Sequence, residues 1–481
     1  MMNDIQNKAA ICYQILIQGT LQLDSPLLIG TGKETDSPDA DIHVLKDAND
    51  QPFIPGTSVA GVLRHIMLQE NAEKGRLLFG YSENNGDTEQ DSLQSAIAIQ
   101  DILLENTEIV IRDGVCIDFY TGIAKEGQKY NYEAIERSLP DHMASGEFRM
   151  QVTLRQYLVD KLPDWKVMVQ QLTNQLASGI QIGALTSKGF GRVSVPDIEA
   201  GIYDFTKFSD VRHWLLQEPA ETIYKGQKKI QLQPGTFVIT GHFSLKSSLL
   251  IRSQNIEKEN LYVESSCNSY IGQGDDVDVV PMRSGSDYLI PGTTIKGVLR
   301  HHSDYILQSM GKENIMVNEI KDLMGCSDKQ SIKKSRFFTD EVYINPESVT
   351  ATAQTRNAID RFTGSTMDAK LFTEKALWQT DKKKTTVTIR YTISQSHDWE
   401  RGLALFLLKD LCTGHVAIGG DKAVGRGYLQ GINAVIEYGE SDGTLKTWQL
   451  SENGTVIQGN ASELESYAAA LVQYKGKEDK L

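Results

Sequence analysis

Cysteine is scarce in this chain: Cys12, Cys116, Cys267, Cys326 and Cys412 are odd in number and far apart, with no C-x-x-C pair. That spacing suggests neither a disulfide framework nor a structural zinc site, and buried free thiols are the better reading. No apolar run reaches the roughly 18 residues of a membrane span. The start, Met1 to Ile11, lacks the basic-then-apolar pattern of a signal peptide. An intracellular, cytoplasmic protein with no membrane partner is therefore expected. Basic charge is also short, with a formal net charge of −14, which argues against a protein that simply coats nucleic acid. The deficit is uneven: residues 1–235 carry 21 Lys and Arg against 32 Asp and Glu, and residues 236–481 carry 28 against 31. Neither G-x-x-x-x-G-K-[ST] nor an opening-strand G-x-G-x-x-G is present, so nucleotide-triphosphate and dinucleotide chemistry are disfavoured.

What is present is a duplication. Phe53-Ile-Pro-Gly-Thr-Ser-Val-Ala-Gly-Val-Leu-Arg-His65 returns as Leu289-Ile-Pro-Gly-Thr-Thr-Ile-Lys-Gly-Val-Leu-Arg-His301, 236 residues later. A period of about half the chain means two whole domains rather than a short-repeat solenoid. Further landmarks recur in order. Ile15–Ile29 matches Phe237–Ile251, and Leu78-Phe-Gly80 matches Leu323-Met-Gly325. Ile117-Asp-Phe-Tyr-Thr-Gly122 matches Ile359-Asp-Arg-Phe-Thr-Gly364, and Asp164-Trp165 matches Asp398-Trp399. Last, Ser187–Val193 matches Ala423–Leu429. The offset is 222 at the first strand and 236 at the Ile-Pro-Gly motif, so the second repeat carries an insertion of 14 residues between them.

Each repeat opens with residues alternating as a half-buried strand does, as in Leu16–Leu23. A polar, Asp-rich loop follows. Ile54-Pro-Gly-Thr-Ser58 then predicts a turn into a helix, with Thr or Ser as cap and Val59, Val62, Leu63 and Met67 on one face. Strands are predicted around Ala96–Ile99, Glu108–Ile111 and Phe148–Leu154, and a second helix from Asp164-Trp165 towards Leu176. The last strand follows the Gly-rich segment. Stripped of insertions, the order is strand, helix, strands, helix, strand, an α+β ferredoxin-like arrangement shared with RNA-recognition modules. The expected boundaries are 1–200 for the first domain, 201–235 for a linker, 236–450 for the second domain and 451–481 for a tail with a helix over Ser462–Tyr474.

The Gly-rich segments, Gly183–Arg192 and Gly419–Gly427, are the most chemically suggestive. Glycines let backbone amides approach an anion, and Lys188, Arg192, Lys422 and Arg426 supply charge for phosphate. The alternative is a Gly-rich turn packed against the first helix. Arg64 and Arg300 are phosphate candidates because their helix motif repeats and guanidinium suits phosphate. The basic clusters Lys329/Lys333/Lys334/Arg336 and Lys382/Lys383/Lys384/Arg390 read as a phosphate track or as solvated faces. His43 has Val280 in its place in the second repeat, and a lone loop histidine is usually solvent-exposed. His65, His301 and His302 follow the helix arginines.

Taken together, the Ile-Pro-Gly-Thr-Thr/Ser-x-x-Gly-Val-Leu-Arg motif, the Asp-x-x-Thr-Gly loop and the Gly-rich segment resemble the RAMP superfamily of CRISPR effectors. More narrowly, they are similar to backbone subunits of type III complexes, and two such domains in one chain resemble the fused backbone subunits of the III-D variety. The resemblance implies inserted thumb hairpins that splay a guide RNA, and metal-dependent cleavage of paired target RNA at regular intervals, leaving a cyclic phosphate. It implies guide RNA, single-stranded target RNA and other CRISPR effector subunits as partners, and Mg2+ or another divalent cation as cofactor. The catalytic Asp it implies lies before Ile-Pro-Gly, which points to Asp41 and Asp278, with Asp36, Asp39, Asp275 and Asp276 close by. Such a carboxylate accepts a proton from the ribose 2′-hydroxyl or helps place the cation; the other reading of a loop Asp is solvation or turn capping. Lys296 falls on the family's Ser-x-Lys-Gly lysine, where the first repeat has Ala60. Arg361 joins the expected RNA-binding set and has no counterpart in the first thumb. Phe119, Tyr120, Phe362 and Met367 are expected to wedge between bases. A non-catalytic guide-binding scaffold is the alternative. A guide-processing ribonuclease of the same superfamily is disfavoured because no histidine recurs in the loop.

Overall fold

The computed structural model describes residues 8–32, 40–83, 91–118, 121, 123–139, 143–228, 232–253, 277–328, 331–381 and 384–476. The chain divides into two units, Met1–Thr186 with Phe190–Gln231, and Ser187–Gly189 with Leu232–Leu481. Each has its own apolar core. Among the described residues no helix is long and apolar enough to cross a membrane.

The first unit is built on strand β1 (Ile11–Leu23), helix α1 (Gly56–Glu70), strand β2 (Ile97–Ile99), a hairpin of β3 (Ile109–Ile117) and β4 (Ala124–Ile135), strand β5 (Ser145–Arg155), helix α2 (Trp165–Ser178), and strands β6 (Arg192–Ser194) and β7 (Glu199–Asp204). Across the main sheet the order is β2, β5, β1, β7, all antiparallel. With the hairpin set aside, that is the ferredoxin-like arrangement: two strand-helix-strand crossovers interleave so that the first and third strands lie side by side. Ile15, Ile17, Leu21 and Leu23 point into the core, as the period of two requires. Val59, Leu63 and Met67 of α1 cover the same core.

The second unit repeats the plan with β9 (Phe237–Leu245), α4 (Gly292–Ser309), β10 (Phe337–Thr339), the hairpin β11 (Val349–Arg356) and β12 (Phe372–Gln379), β13 (Val387–Ile393), α5 (Asp398–Thr413) and β14 (Leu429–Gly439). The sheet order β10, β13, β9, β14 is the same. Ile239 lies opposite Tyr391 and Ile436 as Ile15 lies opposite Val152 and Ile202.

Three expectations are corrected. The segment 201–235 is not a plain linker. Most of β7, helix α3 (Phe208–Leu215) and strand β8 (Glu221–Lys225) fall within it, and β7 and β8 extend the first sheet beyond β1. The segment after residue 450 is not a separate tail either. Strand β16 (Val456–Gln458) pairs with β15 (Leu445–Leu450), and helix α6 (Ala461–Gln473) sets Leu464, Tyr467 and Leu471 into the second core. Neither Ile-Pro-Gly helix is capped by Thr or Ser: Pro55 and Pro291 hold the N-cap positions without a side-chain bond. In the first unit the Asp101 carboxylate accepts from the Gly56 amide at 2.8 Å instead, satisfying one of the orphan donors of the first turn.

Candidate functional site

In each unit the chain leaving the first strand, the Gly-rich segment and the inserted hairpin meet. Their junction begins with glycine geometry. Gly191 and Gly427 have φ of +79° and +82°, a region that disfavours side chains. A Cβ on them would lie 1.9 Å from the Ile182 carbonyl oxygen and 2.0 Å from that of Ile418. Their amides donate to Pro26 O and Ser248 O, both at 2.7 Å. One residue into each segment, Ala184 and Gly420 donate to Leu28 O at 2.8 Å and Leu250 O at 2.9 Å. The glycines therefore serve close backbone packing against the strand exit, a role that neither anion contact nor packing on the first helix describes.

The hairpin attaches to the same strand exit. Leu27 and Ile135 exchange both backbone hydrogen bonds at 2.9 Å, as do Leu249 and Leu377. Beyond that joint the loop carrying each candidate aspartate runs parallel to the hairpin's second strand, with Ile42 bridged to Tyr132 and Val279 to Glu374. Asp41 donates its amide to Asn131 O at 3.0 Å and accepts from the Asn131 amide on Oδ2 at 2.7 Å. Asp278 does the same with Thr373, at 2.9 and 2.7 Å. Both aspartates are exposed. Two loops with different sequences thus place a surface carboxylate by one identical clamp. Asp36, Asp39, Asp275 and Asp276 lie outside the described residues.

His43 is not simply solvated. Its Nδ1 lies 3.2 Å from Glu133 Oε1, and the other Glu133 oxygen accepts from the Val44 amide at 3.0 Å. Glu133 escaped sequence reasoning because it lies 90 positions from His43. The second unit has no equivalent pair, since Val280 replaces the histidine and Lys375 the glutamate.

The hairpin ends are turns built on aspartate. Asp118 Oδ1 accepts from the amide and hydroxyl of Thr121, and Asp360 Oδ1 from the amides of Phe362 and Thr363 and the Thr363 hydroxyl. These bonds hold the Asp360 carboxyl below its usual range. The Asp-x-x-Thr-Gly motif is thereby explained as local turn chemistry. Around the second turn Phe362 is 98 % exposed and Ile359, Met367 and Leu371 are exposed with it, with exposed Arg361 beside them. Phe119 and Tyr120 lie outside the described residues.

Several expected RNA-binding cations are structurally committed. Arg426 is 2 % exposed and pairs with Glu374 at 3.2 Å and Asp421 at 3.5 Å. Burial and Asp421 raise the pKa of Glu374. Arg426 therefore does not face solvent as a phosphate ligand. Lys296 is 6 % exposed, and its Nζ donates to Ser335 Oγ at 2.8 Å and Phe337 O at 2.9 Å. Burial, with neighbouring cations adding to it, pushes its pKa down to about 7. Arg64 and Arg300 donate to the carbonyls of Gly80 and Gly325, at 3.5 and 2.9 Å. Those glycines cap the short helices Ala72–Phe79 and Glu313–Met324 that directly follow α1 and α4, which explains why the Arg motif and the Leu-x-Gly motif recur together. Arg300→Ala is expected to destabilise the second unit by about 1–2 kcal/mol, and Arg64→Ala less because its bond is longer. Chemical denaturation of both variants checks this; unchanged midpoints with weakened RNA binding would restore the phosphate reading.

Lys188 is partly buried in the turn Thr186–Lys188, whereas Arg192 and Lys422 are exposed. Among the histidines, His302 is buried and bonded to Asp410 Oδ2 at 2.7 Å; His65 is exposed beside Gln69. In the basic clusters Lys333 pairs with Asp322, Arg336 with buried Glu400 and Arg390 with Asp340. Lys329, Lys382 and Lys383 lie outside the described residues. Among the described residues no group of three His, Cys, Asp or Glu side chains is placed to hold a metal ion.

No curated protein sequence matches the chain. The family model described as the RAMP superfamily matches it twice, over residues 20–194 and 242–430. Each match opens near the first strand and closes just past the Gly-rich segment, so it encloses the aspartate clamp, the hairpin and both crossover helices of one unit. With most of each unit matched and the same plan built twice, this chain belongs to the RAMP superfamily and is a CRISPR-associated RNA-binding subunit with two tandem RAMP domains.

Proposed function

We propose that the chain is a double backbone subunit of a type III effector complex, similar to the fused III-D variety, which holds guide RNA and cleaves complementary target RNA at Asp41 and Asp278. The repeated clamp carries this reading: each unit fixes one exposed aspartate against the strand of its inserted hairpin. The hairpins are read as thumbs, and the apolar tip at Phe362 and Met367 offers surfaces on which unpaired bases stack or between which they wedge. Exposed Arg192, Arg361 and Lys422 supply phosphate contacts nearby in sequence to these elements.

In the cleavage step the carboxylate accepts the proton of a target 2′-hydroxyl. The 2′-oxygen then bonds to the adjacent phosphorus, and the 5′-oxygen leaves with the electron pair of the broken P–O bond and takes up a proton, giving a 2′,3′-cyclic phosphate and a 5′-hydroxyl. Bound Mg2+ would neutralise charge on the scissile phosphate. A non-catalytic scaffold is the second reading, favoured by the fact that both carboxylates already accept a backbone hydrogen bond. The test is magnesium-dependent cleavage of a labelled complementary RNA by the assembled complex carrying Asp41→Ala, Asp278→Ala or both. Loss of a distinct product from each single variant with guide binding retained supports two sites, and unchanged products in all three leave the scaffold.

A further inference from the structure

The residue that follows the Asp278 clamp on the hairpin strand is Glu374, 1 % exposed. Its carboxylate gathers Arg252 at 3.0 Å, Arg426 at 3.2 Å and Arg356 at 3.4 Å. Asp421 reaches the same three guanidinium groups at 2.7, 3.5 and 3.6 Å. These five side chains tie together the strand exit, both hairpin strands and the Gly-rich segment of the second unit.

The first unit joins the same elements without an ion pair at those positions. Tyr132 occupies the place of Glu374, since each is the bridge partner of the aspartate loop. Phe190 occupies the place of Arg426, since each precedes the glycine whose amide donates to the strand exit. Tyr132 and Phe190 are both buried, and their rings meet edge to face with centroids 6.0 Å apart. At one pair of matched positions, then, one repeat has ring on ring and the other acid on base. A substitution on one side alone takes from the other its nearest buried partner: without Glu374, Arg426 keeps only the Asp421 carboxylate at 3.5 Å, and without Arg426, Glu374 keeps only the less buried Arg252 and Arg356. Weakening a buried charge pair in this way costs more than replacing both members by apolar groups.

We propose that Glu374 and Arg426 form a latch that positions Asp278 by holding the hairpin strand against the Gly-rich segment, and that Tyr132 and Phe190 form the interchangeable latch for Asp41. Glu374 and Arg426 are positioning residues, acting through the Thr373 amide that grips the Asp278 carboxylate. The inference rests on the cleavage reading only for its activity readout; its structural readout is independent of that reading.

The experiment uses the full-length chain in its assembled complex with Glu374→Tyr, Arg426→Phe and the double variant, which transplants the first unit's ring pair. Hydrogen exchange at the Thr373 amide is compared with that at Asn131, and the yield of the target product lost in Asp278→Ala is followed alongside. Each single variant is expected to raise Thr373 exchange by about tenfold or more, the shift that one broken charged contact produces, and to lower the Asp278 product. Asn131 exchange and the Asp41 product stay unchanged. The double variant is expected to return both second-unit readouts towards wild type. If the single variants do not fold, a double variant that folds with protected Thr373 supports the latch, and one that fails as the singles do overturns it. Additive losses in the double variant, or equal changes at Asn131, overturn it as well. Restored protection with no Asp278-dependent product supports the latch while refuting the cleavage reading.

Discussion

Removing the charge of Asp278 is expected to slow formation of one target-RNA product by about 10²–10⁴-fold, the usual contribution of a positioned general base. The choice of substitution matters. Ala removes the acceptor of the Thr373 amide as well as the base, because Asp278 Oδ2 takes that hydrogen bond at 2.7 Å. Asn keeps an amide oxygen for Thr373 and loses only the charge. Under the cleavage reading Asn is nearly as inactive as Ala, while a purely structural aspartate predicts near-normal product from Asn and loss from Ala alone. Asp41→Asn is expected to remove a different product, because its clamp on Asn131 belongs to the other unit. Single-turnover assays on the assembled complex, with guide occupancy measured separately, distinguish these outcomes.

The second large effect concerns folding. Gly427→Ala is expected to destabilise the second unit by about 3 kcal/mol or more, combining a non-glycine residue at positive φ with a severe backbone contact. The contact partner is the Ile418 carbonyl oxygen, 2.0 Å from where the Cβ would sit. That oxygen belongs to backbone and has no rotamer by which to move away. Gly191→Ala is expected to act equally on the first unit through Ile182 O. Denaturant unfolding that resolves two transitions checks both variants: each should shift one transition and leave the other in place. If RNA binding falls with both midpoints unchanged, the glycines serve an anion after all. By contrast Gly297, beside which a Cβ would meet nothing within 4 Å, is a control that tolerates alanine.

The fold was readable because its signals are local and written twice. Alternation in β1 and β9, the Pro-Gly break before α1 and α4 and the Asp-Trp start near α2 and α5 depend on residues a few positions apart. The candidate aspartates rest on a different signal, their place ahead of a motif that resembles a known family. Boundaries failed where elements are polar and short. Strand β8, Glu221–Lys225, has no buried residue to give it a period, so its segment looks like a linker. The role expected of Arg426 failed because burial is a property of partners distant in sequence. Arg426 finds Glu374 52 positions away, and nothing around Arg426 announces a buried acid. One signal was available. Tyr132 with Phe190 becomes Glu374 with Arg426 between repeats, and a paired exchange of that kind implies contact.

The aspartate clamp also bears on how freely the hairpins can diverge. Its grip on each carboxylate comes from main chain, at Asn131 in one repeat and Thr373 in the other. Every amino acid but proline supplies that amide. Selection for a correctly placed carboxylate therefore leaves almost no mark on the side chain that receives it. The hairpins are free to acquire different sequences while the geometry beneath them is inherited unchanged, and proline at either position is the one mutation this freedom forbids.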